Sequence, residues 1–472
     1  MNLFQKIKIF ILLFIIILLS YFILSSCSKQ SKNSLTKNKI YSKDSVITVK
    51  VNKEDKQNDY YNEDHLRYED YIYKDDIKTV LLYKDGWELS LPIIELNSDE
   101  KLKLSFDDLD TDTKNYKYTI IHCDALWQAS DIAKSEYIDG FTQDYINNYQ
   151  FSFNTIQKYT HYELIFPTEN LKITKSGNYI LKVFIDENEK DIAFTKKFML
   201  FENKITVNAR VKQATDVKDR FSKQQIDFTI NYDGYKIDDP YTNIKVIITQ
   251  NRRWDNAILN LKPVMIKNNQ LIYEHDYDSN YKNVINGGNE FSHFDIKSIR
   301  YNSDRIKKIT YDSLGNHVFL LDDNVQTFSP YYSKKDINGK KFIKTDDPTV
   351  TNSNIEADYV YVHFSLPYKN TLIDGSIYVF GALTNWLFTK DGKMKYNYNK
   401  HTYETSIYLK QGYYNYQYVF LKNGENIGDE TFIEGNHSET ENDYTIYVYN
   451  KEAFDFYDKL IAVKNLNSTQ NN

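Results

Sequence analysis

Short apolar runs recur along this chain at near-regular spacing, and that pattern constrains the fold more than any other feature. From Ile77 onward the runs are separated by clusters of Asp, Asn, Gly and Ser. Several carry apolar residues at every second position. Tyr179, Leu181, Val183 and Ile185 fall on one face of a strand and Lys182 on the other. Ile244, Val246 and Ile248 share a face, as do Val360, Val362, Phe364 and Leu366. A period of two over short segments, with turn residues between, is the pattern of half-buried strands in a sandwich. Strands are expected at 77–83, 89–96, 101–106, 116–123, 161–166 and 179–185, then at 205–211, 225–232 and 244–250, and onward to 444–449. The stretch from Ser130 to Tyr149 is the main interruption and is expected to hold a short helix or a long loop.

The expected fold is all-β, with three consecutive antiparallel β-sandwich domains. Their bounds are read at 76–202, 203–350 and 357–452, followed by a C-terminal tail at 453–472. Residues 345–356 read as a linker. The chain holds 42 Tyr and 27 Phe against 15 Gly and 7 Pro, and aromatic residues suit strands. An AT-rich genome accounts for part of that load. At 472 residues the chain is long enough for several cores. A net charge of −6 gives no electrostatic footprint for nucleic acid.

The N-terminus has a different build. Lys6 and Lys8 precede an apolar run from Ile9 to Leu24, and small residues follow, which is the layout of an export signal. Its ending, Leu24-Ser25-Ser26-Cys27, resembles the lipobox of bacterial lipoproteins. The resemblance implies a signal peptide at 1–26 and lipid on Cys27. An uncleaved anchor is the alternative. Ser28 follows the cysteine and no acidic residue precedes Asp44. By resemblance to Bacteroidota lipoproteins, this implies the periplasmic face of the outer membrane. Residues 27–75 are rich in Lys, Ser, Asn, Asp and Glu and poor in aliphatics, so they read as a lipid-anchored flexible tether.

The remaining cysteine, Cys123, has no partner for an internal disulfide and lies in an apolar stretch, so it reads as core. Asp108, Asp110 and Asp112 begin like a calcium loop, but Thr113 and Thr119 stand where that loop needs Gly and Glu. The nine His residues are scattered without ligand spacing. His122 and Cys123 fall on opposite strand faces. No metal, cofactor or catalytic set is expected, and the chain does not read as an enzyme.

Arg252, Arg253 and Trp254 follow a strand and read as a loop. Arg and Trp on loops are residue types that anchor protein interfaces. These three, with the Gly287-Gly288 turn, are the candidate partner contact. The run Gly375 to Trp386 resembles the early-set module of glycogen-binding proteins, an immunoglobulin-like sandwich. It implies an alternative function, a periplasmic outer-membrane lipoprotein that binds glycan through Trp386.

Several stretches, in order, resemble one family. They include Tyr68-Glu69-Asp70-Tyr71-Ile72-Tyr73, Leu104-Ser105-Phe106-Asp107-Asp108-Leu109-Asp110, Ile121-His122-Cys123-Asp124 and Tyr137-Ile138-Asp139-Gly140-Phe141. Further on are Thr160-His161-Tyr162, Gly177-Asn178-Tyr179, Arg253-Trp254-Asp255-Asn256-Ala257 and Gly287-Gly288-Asn289-Glu290-Phe291. Tyr359-Val360-Tyr361-Val362-His363-Phe364 and Gly412-Tyr413-Tyr414-Asn415-Tyr416 complete the set. They resemble the plug proteins of the type IX secretion system across about 65–463. The resemblance implies a non-enzymatic role: binding and plugging the periplasmic mouth of a giant outer-membrane β-barrel translocon.

Overall fold

A computed structural model describes residues 65–259, 261–274 and 283–469. Cys27, the signal segment and most of the expected tether lie outside the described residues. The described body is almost entirely β, with sheets that are mainly antiparallel. Its four α-helices are four residues long, the first being Lys134–Tyr137 in the interruption anticipated between Ser130 and Tyr149.

The first sandwich packs two sheets. One runs Tyr71–Ile72, Ile192–Phe201, Gly177–Ile185, Tyr116–Cys123 and Asp144–Tyr145, with Ile93–Glu95 added in parallel to Ile192–Phe201. The other runs Ile77–Lys84, Leu102–Asp108, Thr160–Phe166 and Asn148–Phe151. Between them lie Leu104, Phe106, Tyr162, Tyr179, Leu181 and Val183. Tyr71 pairs with Thr195, so the end of the expected tether is already part of the body.

The second sandwich sets Thr206–Gln213, Lys223–Asn231, Gln270–Tyr273 and Met265–Lys267 against a sheet of distant parts. In that second sheet Ile244–Gln250 lies between Arg253–Ile258 and Asp443–Asn450, and Lys459–Asn467 closes the edge. Pairing therefore joins the expected second unit to residues at the end of the third, and the expected tail supplies a strand. Ile244, Val246 and Ile248 face this core together with Ile446, Val448 and Ile461.

The third sandwich is built in the same way. Ser292–Asp295 and Lys341–Ile343 both pair with Gly412–Lys422. Ile306–Asp312 and Gly315–Leu320 extend the sheet of Tyr359–Pro367 and Thr402–Lys410. Val360, Val362, Phe364 and Leu366 point into its core, as their alternation requires.

Strand faces turned away from these cores are also covered. Ile180 and Cys123 of the first sandwich pack with Ile247, Tyr447 and Tyr449 of the second. Both faces of Gly177–Ile185 are therefore buried. Apolar residues occur at successive positions in that strand, where a half-exposed strand would alternate.

Candidate protein interface

Arg252, Arg253 and Trp254 lie on a hairpin rather than in a loop. Asn251 (φ 50°) and Arg252 (φ 68°) are both left-handed and form the two-residue turn between Ile244–Gln250 and Arg253–Ile258. Such turns match the twist of the paired strands. The Arg252 guanidinium donates to the Leu89 carbonyl. Asn251 N–H donates to Asp443 O at 2.8 Å, and Asp443 N–H donates back to Asn251 Oδ1 at 2.9 Å. The turn is thus stapled to the start of Asp443–Asn450.

Arg253 is 2% exposed. It donates from Nε to Asp255 Oδ1 at 3.0 Å and from Nη2 to Asp255 Oδ2 at 2.8 Å and Gly428 O at 2.9 Å. Its Nη1 meets Glu430 Oε2 at 2.5 Å. Burial alone would lower its pKa, but Asp255 and Glu430 outweigh burial and raise it. A guanidinium fork suits two carboxylates and a carbonyl at once. Trp254 packs edge-to-face on Trp127 with centroids 5.3 Å apart and lies 5.4 Å from Tyr447.

The Gly287-Gly288 turn is buried beneath the 435–440 stretch. A Cβ on Gly287 would sit 1.9 Å from the His437 carbonyl oxygen, so only glycine allows that approach. Gly288, at φ +65°, accepts from His437 N–H at 2.8 Å and Thr440 Oγ1 at 3.0 Å. Asn442 Nδ2 donates to Gly287 O at 2.9 Å.

Gln250, Arg253, Gly287, Gly288, Glu430 and Asn442 share a polar cleft with about 10 Å³ free to a water-sized centre. That is room for about one water. Trp386 lies nearby, half-buried, with Phe291 and Phe380 edge-to-face at 6.0 and 5.6 Å. Phe380 also lies 5.2 Å from the Arg253 guanidinium carbon. The structure therefore gathers Arg253, Gly287, Gly288 and Trp386 into one junction. Their polar groups and rings are largely engaged inside the protein.

A second junction is not evident from the sequence. Asp107 is fully buried between the first and third sandwiches. Its carboxylate accepts from His161 Nδ1 at 2.6 Å, Tyr359 OH at 2.6 Å and Lys410 Nζ at 2.5 Å. Burial would raise the Asp107 pKa, but Lys410 and His161 outweigh it and hold the pKa below the usual carboxylate value. Burial would lower His161, but Asp107 and Glu163 outweigh it and hold it raised. Asp107, His161 and Tyr359 each lie in a stretch that carries the family resemblance.

Cys123 is buried, and desolvation pushes its thiol up to about 12. Asp108 accepts from Tyr116 OH at 2.8 Å and from Asp110 N–H at 3.0 Å, and it pairs with Lys114. It thereby closes its own turn. No helix among the described residues is long and apolar enough to cross a membrane.

Residues 77–202 match the model of the type 9 secretion system plug protein first domain. A crystal structure of a hypothetical protein from Parabacteroides merdae is 32% identical. The match covers 85% of this chain and 100% of that one, with a TM-score of 0.81. No curated protein matches. The first-domain match, and a solved structure that follows this chain through all of its own length, place the chain in the type IX secretion system plug protein family.

Proposed function

We propose that this protein binds the periplasmic mouth of the giant outer-membrane β-barrel translocon of the type IX system and plugs it. The role is mechanical and non-enzymatic. Lipid on Cys27 holds the protein at the periplasmic face of the outer membrane. The observation that carries this reading is the plug-domain match at 77–202, on a domain welded to the third sandwich through Asp107 and Lys410. A wide barrel leaks unless something occludes it, and a rigid block occludes better than a hinged one. The enclosure of Trp386 by Phe291 and Phe380 favours a packing role for that ring over glycan contact.

The test is a pull-down of the tagged full-length protein from outer membranes, paired with a permeability assay on cells lacking it. Recovery of a very large β-barrel, with uptake of a bulky antibiotic rising in the deleted strain, supports the reading. Repeated pull-downs without such a barrel, from cells that express one, overturn it. Cys27→Ala should move the protein from the membrane fraction to the soluble fraction or leave it unprocessed.

A further inference from the structure

The 435–440 stretch that covers the Gly287-Gly288 turn also carries two loops. Ser438 N–H donates to Phe221 O at 3.0 Å, tying down the 215–222 loop. The His437 ring lies 5.7 Å from Tyr331, in the connection from 321 to 340. That connection contains no helix or strand. Long irregular connections in compact domains are commonly functional.

The longer loop is held at several points. Asp323 accepts from Tyr416 OH at 2.7 Å and Tyr418 OH at 2.6 Å. Gln326 N–H donates to Ile433 O at 2.7 Å, and Thr327 Oγ1 donates to Phe432 O at 2.7 Å. Tyr331 OH donates to Glu290 at 2.6 Å, and Asp336 accepts from Phe291 N–H at 2.6 Å. Between these anchors Phe328 is 99% exposed and Tyr332 is 73% exposed. Phe221 and Val217, on the other loop, are each 72% exposed.

The same loops carry Arg220, Lys334 and Lys335, all exposed. The ion pairs among the described residues leave these three out. Asp216, Asp219 and Asp322 are paired with Lys218, Lys223 and Lys307. Glu439 is an exposed acid on the connecting stretch. The two loops carry five bases and five acids, so the rim is apolar, with Arg220, Lys334 and Lys335 as exposed bases outside those ion pairs and Asp336 beside them.

We infer that loops 215–222 and 321–340 form the face that meets the translocon, with Phe328 and Phe221 entering apolar sockets rimmed by acidic side chains on that barrel. This rests on the function proposed above and assigns its contact surface. Aromatic anchors in sockets dominate interface energies, and a loop fixed beforehand loses little freedom on binding. Fixed geometry favours a shaped protein partner over a fluid bilayer, which needs no preset spacing.

The experiment measures binding of the purified full-length protein to the purified translocon. Phe328→Ala alone, and with Phe221→Ala and Tyr332→Ala, should weaken binding about tenfold or more at unchanged melting temperature. The single variant removes an exposed ring and is expected to leave the fold intact. Lys334→Glu with Lys335→Glu should slow association and reduce its salt dependence. Phe454→Ala with Phe456→Ala, on another exposed loop, should change nothing. Equal binding by wild type and loop variants overturns this inference and leaves the plug reading standing. Failure of the wild type to bind overturns both. Loss of binding to phosphatidylglycerol vesicles, with translocon binding untouched, would make the rim a membrane face and overturn the inference.

Discussion

Asp107 and Lys410 stand 303 residues apart in the chain, yet their charged atoms lie 2.5 Å apart with both side chains at 1% exposure or less. Two sandwiches meet at this pair, and Tyr359 and His161 complete the shell around the carboxylate. A buried pair is costly to break from one side, because the remaining charge is stranded. Asp107→Asn is expected to destabilise the protein by about 3–5 kcal/mol in urea or thermal unfolding. Asp107→Leu with Lys410→Met should recover part of that loss. A double variant no more stable than Asp107→Asn would show that the pair itself is not the source.

The same cluster sets a pH window. Asp107 is depressed, so its contribution is full above the ordinary carboxylate pKa of about 4 and is lost as pH falls through its folded value. His161 is raised, so its contribution is full below about 6.5 and is lost as pH rises through its folded value. The Asp107 and His161 contributions are therefore both present between those limits, while Lys410, held low by burial, carries a penalty relieved only as pH rises through its own folded value. Urea midpoints at pH 3, 5.5 and 8.5 should peak at 5.5. His161→Asn should narrow the gap between 5.5 and 8.5, and an unchanged gap would contradict this.

Arg253→Met leaves Asp255 and Glu430 facing each other without a cation and should cost about 3–5 kcal/mol. Arg253→Lys should recover only part, since an ammonium lacks the guanidinium fork. Where the folded variant can be isolated, its translocon affinity should equal that of the wild type. A selective loss of affinity in the folded variant would mark Arg253 as a contact residue.

Gly287→Ala has no room for its methyl against the His437 carbonyl. A cost of about 2 kcal/mol or more is expected from strain of this kind. Amide exchange at the 435–440 stretch should rise with it, and unchanged exchange there would refute the buttress role of the turn.

Cys123 should resist a thiol reagent at pH 8 in the native protein, since its thiol is buried and shifted up to about 12. Labelling mapped to Cys123 by mass spectrometry should appear in denaturant. Rapid native labelling would show that the strand opens.

Local pattern made the strands legible. Val360 to Leu366 and Ile244 to Ile248 face their cores as their alternation requires. The pairing of strands was less legible, because Ile244–Gln250 takes a partner, Asp443–Asn450, from the far end of the chain. Periodicity reports a strand's faces but not its neighbours. Arg253 looked like a surface anchor by residue type, and its burial depends on Glu430, which local context does not reveal. The Gly287-Gly288 pair marks a turn, but nothing beside it in sequence marks the 435–440 stretch that covers it. Lys410 ends a strand, where a lysine ordinarily faces water, and its partner Asp107 sits in another sandwich.

The union of Ile244–Gln250 with Asp443–Asn450 also has a consequence in time. During synthesis the earlier strand emerges long before the strand that will flank it. Until then its edge offers unpaired N–H and C=O groups to any passing chain. Distant pairings of this kind slow folding and lengthen exposure to wrong partners. A chain stopped short of residue 443 would leave this strand edge open rather than yield a smaller closed body. Completion of the polypeptide thus becomes a checkpoint for a closed sheet.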